Sequence, residues 1–416
     1  MQYGKDIKMS RRRAVVTAAI LAGALALSAC GTNREEGGGA AAGACDTSKG
    51  TLVVGLVAPL SGPLSALGLG MQNSADLAVD QANQNCTVPG YALRLQAEDD
   101  QSMPAIAANA ATRLASDPNV VGVVGTLNSS TAQTVQPILQ QRGIVQISPA
   151  NTNPTLTQGE AYETAPARGF DNYFRVATTD AVQGPFGAQY LVNTAGKRAI
   201  AVIDDGKTYG AGLAAAFAAE ATRLGATIVF TGKVGENDTD FSGVVTQVRA
   251  ANPDAVYYGG EYPAAGPLSA QIAAGGLNIP VMGGDALINA EYVPLGGRVG
   301  DLGTSVGAPA EDLESAQQFI ADYEAANYVE GYETYGALTY DSTNIIINSL
   351  VTALNGGDWS EDTRSAVVAA VQATDYEGAA GPVTFDEFGD TTNKLLTVYT
   401  VEGDAFVPLE TGTYEG

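Results

Sequence analysis

A chain of 416 residues with 45 acidic and 21 basic side chains carries a formal net charge of −24, which makes nucleic acid a poor partner because phosphate binding needs basic surface. It contains no histidine, and this removes the commonest general base, the Ser-His-Asp arrangement and histidine-ligated zinc together. The length exceeds what one hydrophobic core supports, so two domains are expected.

At the N-terminus, Arg11-Arg12-Arg13, an apolar run from Ala14 to Ala29 and the tetrad Leu27-Ser28-Ala29-Cys30 supply the basic start, greasy middle and small-residue end of a secretory signal. The run is shorter than the roughly 20 apolar residues that span a bilayer, which argues against a permanent transmembrane helix. The tetrad resembles the lipobox of bacterial lipoproteins. That resemblance implies a signal peptide over 1–29, acylation of Cys30, and a mature protein held by lipid on the extracytoplasmic face of the cell membrane. An ordinary signal peptide with an incidental cysteine is the alternative. Residues 30–50, which include Gly37-Gly38-Gly39 and the charges Arg34-Glu35-Glu36, read as a tether too poor in apolar surface to fold. As flexible coil it reaches on the order of 25 Å. With Cys30 acylated, Cys45 and Cys86 are an even pair in an oxidising compartment. A disulfide between them would fasten the tether to the fold; two buried free thiols are the alternative.

From residue 51 onward strand and helix alternate. Thr51–Ala58 is an apolar run stopped by Pro59, and in the helix expected over 68–83 Met71, Ala75, Ala78, Val79 and Ala82 recur at helical spacing. The spacing then predicts strand 91–98, helix 104–115, strand 120–124, helix 131–140 and strand 144–147. An interruption follows near 152–173, after which the rhythm resumes: helix 183–192, strand 199–203, helix 209–224, strand 227–231, helix 241–250, strand 255–258, helix 264–274 and strand 281–282. Apolar strands alternating with helices mean parallel sheets covered on both faces, so the expected fold class is α/β with two doubly wound parallel-sheet lobes. Long helices over 312–325 and 334–354 lack strands of their own and are expected to pack back on the first lobe. The lobes then comprise 51–179 plus 309–385 and 180–308 plus 386–416, joined by a multi-crossing hinge.

Ligands in open parallel sheets sit beyond the strand C-termini, where helix N-termini present free N–H groups. Two neighbouring strand ends here are rich in hydroxyls: Gly125-Thr126-Leu127-Asn128-Ser129-Ser130-Thr131 and Ser148-Pro149-Ala150-Asn151-Thr152. Hydroxyls at a helix N-terminus suit a carboxylate, although each alone is also what a simple N-cap requires.

Those two segments occur in order with Val57-Ala58-Pro59-Leu60-Ser61-Gly62-Pro63, Asp180-Ala181-Val182-Gln183-Gly184, Tyr257-Tyr258-Gly259-Gly260 and Gly381-Pro382-Val383-Thr384-Phe385-Asp386. Together, from about Thr51 to Pro408, the chain resembles the branched-chain amino-acid (Leu/Ile/Val) binding proteins of ABC importers, with the type I periplasmic-binding fold. The resemblance implies an amino acid held between closing lobes. The Ser129 and Thr152 hydroxyls and the backbone at Ala150 would hold the carboxylate, Tyr209 would cover the ligand from the second lobe, and Asp285 would accept the ammonium. Chemically a carboxylate suits that last role, while a turn residue after two glycines is the bland reading of Asp285. The partners implied are a small-molecule amino acid and an ABC permease in the membrane, with the binding protein a monomer. No cofactor, metal or catalysis is implied.

Two positions depart from the family pattern. Leu67 stands where an aromatic residue usually packs on the ligand side chain, and Glu261 stands where a tyrosine is common. If Glu261 faces the cleft, an added negative charge favours a ligand with a cation or donor at its far end. If the register slips by one, Tyr262 takes the tyrosine's place and Glu261 lies in solvent; of the two this is the slightly favoured reading. Other functions stay open: a ligand-sensing receptor subunit, a binder of another small solute such as an amide, organic acid or cationic amino acid, and a hydrolase using Asp204 or Asp205 with Lys207. Ordinary turn chemistry is favoured over the last.

Overall fold

The computed structural model describes residues 45–235 and 238–414. The expected signal peptide, Cys30 and all but the end of the tether lie outside the described residues. Cys45 and Cys86 are joined in a disulfide, with 5.4 Å between their Cα atoms.

In the first lobe, β1 (Gly50–Ala58), α1 (Ser65–Gln84), β2 (Tyr91–Asp99), α2 (Pro104–Ser116), β3 (Val120–Gly125), α3 (Ser129–Gln140), β4 (Val145–Ser148), the single turn α4 (Thr155–Gln158) and β5 (Tyr173–Arg175) follow one another. The five strands form a parallel sheet in the order β2-β1-β3-β4-β5. Alternation along β1 shows why its run is apolar throughout. Val53 and Val57 pack with Ala107, Ala111, Leu114 and Val135 of α2 and α3, while Leu52, Val54 and Leu56 belong to the core on the opposite face.

The second lobe runs α5 (Asp180–Gln189), β6 (Ala199–Asp204), α6 (Thr208–Arg223), β7 (Thr227–Lys233), α7 (Ser242–Ala251), β8 (Ala255–Gly259), α8 (Tyr262–Ala274), β9 (Val281–Gly283) and β10 (Leu302–Val306). The expected helix 183–192 starts three residues early, at Asp180, and passes into a π-helical turn over Tyr190–Thr194. On one face of this sheet Phe217 of α6 stacks on Tyr257 of β8, with ring centroids 3.6 Å apart.

The chain then returns. Two 3₁₀ turns, Ala310–Asp312 and Glu314–Ala316, occupy the first part of the expected helix 312–325, so α9 spans only Gln317–Ala326. It is followed by α10 (Gly336–Leu354), α11 (Arg364–Gln372), a small antiparallel ribbon of β11 (Asp375–Gly378) and β12 (Gly381–Thr384), and a hairpin of β13 (Leu395–Glu402) and β14 (Ala405–Thr413). Helix α10 packs against α1, β3 and β4 of the first lobe. The hairpin instead completes the second sheet, whose order is β14-β13-β10-β9-β8-β6-β7, with β13 antiparallel to β10. The expectation of purely parallel sheets therefore fails at this edge. A hairpin needs no crossover helix, so the strand–helix rhythm that marks the rest of the sheet carries no trace of it. The backbone passes between the sheets at 176–179, 307–316 and 385–394.

Candidate functional site

The two sheets turn the C-terminal ends of their parallel strands toward one another. Beyond β3, residues 126–128 lead into α3, whose first residue is Ser129. Beyond β4 the chain makes a turn over 149–153. From the other lobe come Tyr209 at the start of α6, Glu261 immediately before α8, and Asp285 opening a 3₁₀ turn after β9. Leu127, Asn128, Ser129 and Ala150 of the first lobe meet Tyr209, Glu261 and Asp285 of the second around one cavity of about 10 Å³, which Tyr335 and Ala286 complete.

The first-lobe wall is short of hydrogen-bond partners. Ser129 is buried and its Oγ has none within the protein, and the same holds for Thr152 Oγ1 and Asn128 Oδ1. A buried hydroxyl without a partner costs about 1–3 kcal/mol, which a ligand that bonds to it recovers. Ala150 lines the cavity, but its N–H donates to Ser148 Oγ at 3.2 Å. The turn that carries these groups is held from behind. Buried Arg175 donates to the carbonyls of Asn151 (3.2 Å) and Asn153 (2.7 Å) and pairs with Asp390 at 2.6 Å. Burial disfavours the Asp390 charge, and the Arg175 cation outweighs that and lowers its pKa.

The opposing wall is acidic. Asp285 Oδ1 accepts from the Tyr209 hydroxyl at 2.8 Å and from Gln183 Nε2 at 3.1 Å, and Oδ2 accepts from the Tyr335 hydroxyl at 2.8 Å. A carboxylate offers about four acceptor positions, so these three donors leave room for one more. Burial raises the Asp285 pKa to about 6 against the opposing effect of both tyrosines. Asp180, at the start of α5, is fully buried with neither carboxylate oxygen bonded, and burial followed by repulsion from Asp285 raises its pKa well above the ordinary value. Two neighbouring buried carboxyls do not both ionise readily, and a cation placed beside them would favour their charged forms.

Glu261 corrects the favoured register. It is only 8% exposed, forms part of the cavity wall, accepts from Asn128 Nδ2 across the lobes, and pairs with Lys207 at 3.2 Å. Tyr262 points elsewhere, donating its hydroxyl to the Pro63 carbonyl at 2.7 Å. The glutamate does not lie in solvent, contrary to the favoured reading. Leu67 departs from expectation too. It is buried in the first-lobe core with Leu64 and Met71 and is not part of the cavity lining. Asp204 and Asp205 accept backbone N–H bonds from Gly206 (2.8 Å) and Lys207 (2.9 Å), the turn chemistry expected of them.

Sequence reasoning missed Tyr335, Gln183 and Asp180. Gln183 and Asp180 stand in the quoted Asp180–Gly184 segment, where an acid at a helix start reads as an ordinary first-turn residue. Tyr335 precedes the long helix α10, and only the return of that helix to the first lobe brings its hydroxyl to Asp285.

Among the described residues no cluster of candidate metal ligands occurs, and no helix is long and apolar enough to cross a membrane. The family model for periplasmic binding proteins matches residues 51–405. The chain is 30% identical over 362 residues to a Leu/Ile/Val-binding protein homolog of Brucella melitensis, covering 86% of this chain and 94% of that one. It is 31% identical over 344 residues to the leucine-specific-binding protein of Salmonella typhimurium, with 81% and 87% covered. Among solved structures it resembles the branched-chain amino acid transporter substrate binding protein LivJ of Streptococcus pneumoniae in complex with isoleucine, at 25% identity and a TM-score of 0.75, over 88% of this chain and 100% of that one. The chain belongs to the periplasmic binding protein family.

Proposed function

We propose that this protein is the lipid-anchored, extracytoplasmic binding component of an ABC importer, and that it captures an α-amino acid between its lobes. One observation carries the reading. The unpartnered hydroxyl of Ser129 at the N-terminus of α3 and the buried acid Asp285 of the other lobe line the same cavity. The zwitterion's carboxylate goes to Ser129, the first amides of α3 and Thr152, and its ammonium goes to Asp285. Aliphatic amino acids are the first candidates because the relatives named above are Leu/Ile/Val- and leucine-binding proteins. Lobe 1 comprises 51–179 with 309–385, and lobe 2 comprises 180–308 with 386–416. Acylation at Cys30 keeps the monomer beside its permease and raises effective concentration.

Calorimetric titration of the purified protein with L-leucine and L-valine tests the reading, alongside their deaminated and decarboxylated analogues. Binding is expected only where both charged groups are present. Asp285→Asn is expected to weaken it by about tenfold or more, because a charge-assisted hydrogen bond contributes about 1.5–3 kcal/mol. Equal binding of the analogues lacking either group would overturn it.

A further inference from the structure

Beside the zwitterion cavity lies a second and far larger one between the lobes, of about 320 Å³. Pro63, Leu64 and Met103 line it from the first lobe, and Asp205, Glu261 and Pro263 from the second. Glu261 forms part of the wall of both cavities. We propose that this compartment is a second ligand subsite, receiving a cationic or N–H-rich end of an amino-acid side chain, with Asp205 as the acceptor. The inference rests on the amino-acid reading above and narrows the side-chain class.

The argument turns on which negative charges the protein already answers. Glu261 is answered, since Lys207 pairs with one carboxylate oxygen and Asn128 donates to the other. Asp205 is not answered in the same way. Its Oδ1 accepts the Lys207 backbone N–H at 2.9 Å, but its Oδ2 is buried and has no hydrogen-bond partner, and the residue as a whole is 9% exposed. Asp100, immediately before the turn that carries Met103, is a further buried carboxylate with a bare Oδ2. Burial first and then the nearby Glu261 raise the Asp205 pKa to about 7 against the opposing Lys207 backbone N–H and Lys207 cation, so the protein offsets this charge only in part. Such a carboxylate is costly unless something cationic or donating reaches it. The other walls suit the stem of such a group, because Pro63, Leu64, Met103 and Pro263 offer apolar contact for methylenes while a charged end meets the acid. An aliphatic side chain can use the apolar walls but brings no donor to Asp205.

The test compares L-lysine and L-arginine with L-norleucine, which matches the lysine stem without its ammonium, by titration calorimetry on the wild-type protein and on Asp205→Asn and Asp205→Glu. Lysine or arginine is expected to bind at least tenfold more tightly than norleucine. Asp205→Asn is expected to bring that ratio close to one, and Asp205→Glu to restore part of it. Norleucine binding as tightly as both cationic amino acids would overturn the proposal, as would a preference that survives Asp205→Asn. The wild-type ratio alone decides the matter should the asparagine variant not fold. Binding of norleucine without preference for lysine or arginine sinks this inference only, whereas failure of every α-amino acid to bind sinks the amino-acid reading as well.

Discussion

In the proposed role Asp285 combines two demands that pull against each other. It would have to be charged to hold an ammonium, yet it sits where charge is disfavoured, so its pKa rises from 3.8 to about 6. The sign of the pH effect follows. In the ligand-free protein the folded state holds this proton more tightly than the unfolded chain, so the group lowers stability as pH rises from its ordinary value through about 6. Ligand binding runs the other way, because only the carboxylate accepts the ammonium. Affinity is expected to be full above pH 6 and to fall below it, by about tenfold between pH 7 and pH 5. Calorimetry at those two pH values in buffers of different ionisation enthalpy would show both the weaker binding and proton release on binding at pH 5. A dissociation constant that stays flat across this range, with no proton released, would remove Asp285 from the ammonium's partners. The three donors on Asp285 explain why it need not be fully neutral without ligand, since Tyr209, Gln183 and Tyr335 hold the charge in place.

At the scale of elements, the site depends on how closely α6 approaches the end of β8. A Cβ on Gly259 would stand 2.1 Å from the carbonyl oxygen of Gly210, and one on Gly210 would stand 2.4 Å from that of Gly259. Side chains are excluded from this crossing, and the close fit is what sets Tyr209 over Asp285. Gly259→Ala is therefore expected to cost about 1–3 kcal/mol by overpacking and to weaken amino-acid binding through the displaced helix start. Urea unfolding and calorimetry on the same preparation check both effects, and unchanged stability with unchanged affinity would refute the packing argument. The strand–helix order of both lobes was legible in the sequence because strands buried on both faces, such as β1 and β8, are apolar runs between helices of clear period. Ser129, Tyr209 and Asp285, which the family resemblance pointed to, line one cavity. The β13–β14 hairpin was not legible, because nothing local in Leu395–Thr413 names the sheet it joins. Nor was Tyr335, whose position depends on a lobe crossing, or the burial of Leu67, which lies outside the lining of the small cavity.

For the molecule as a whole, the lobes are shut. The cavity between Ser129 and Asp285 is only about 10 Å³, and direct bonds cross between the halves: Thr208 Oγ1 with Gln133 Oε1 at 3.0 Å, Asn153 Nδ2 to the Thr208 carbonyl at 2.7 Å, and Tyr335 to Asp285. An amino acid cannot enter or leave such a space without the lobes parting at the hinge segments, so opening must govern exchange. Cysteines placed at Gln133 and Thr208 and joined by a short thiol-reactive crosslinker in the presence of ligand would hold the rim closed. Release of radiolabelled L-leucine from the joined protein is expected to be at least a hundredfold slower than from the same double variant left unjoined. If the two release rates were equal, the ligand would have a route that bypasses lobe opening. The compartment lined by residues 61–64, 101–103 and Asp205 is the place to look for it.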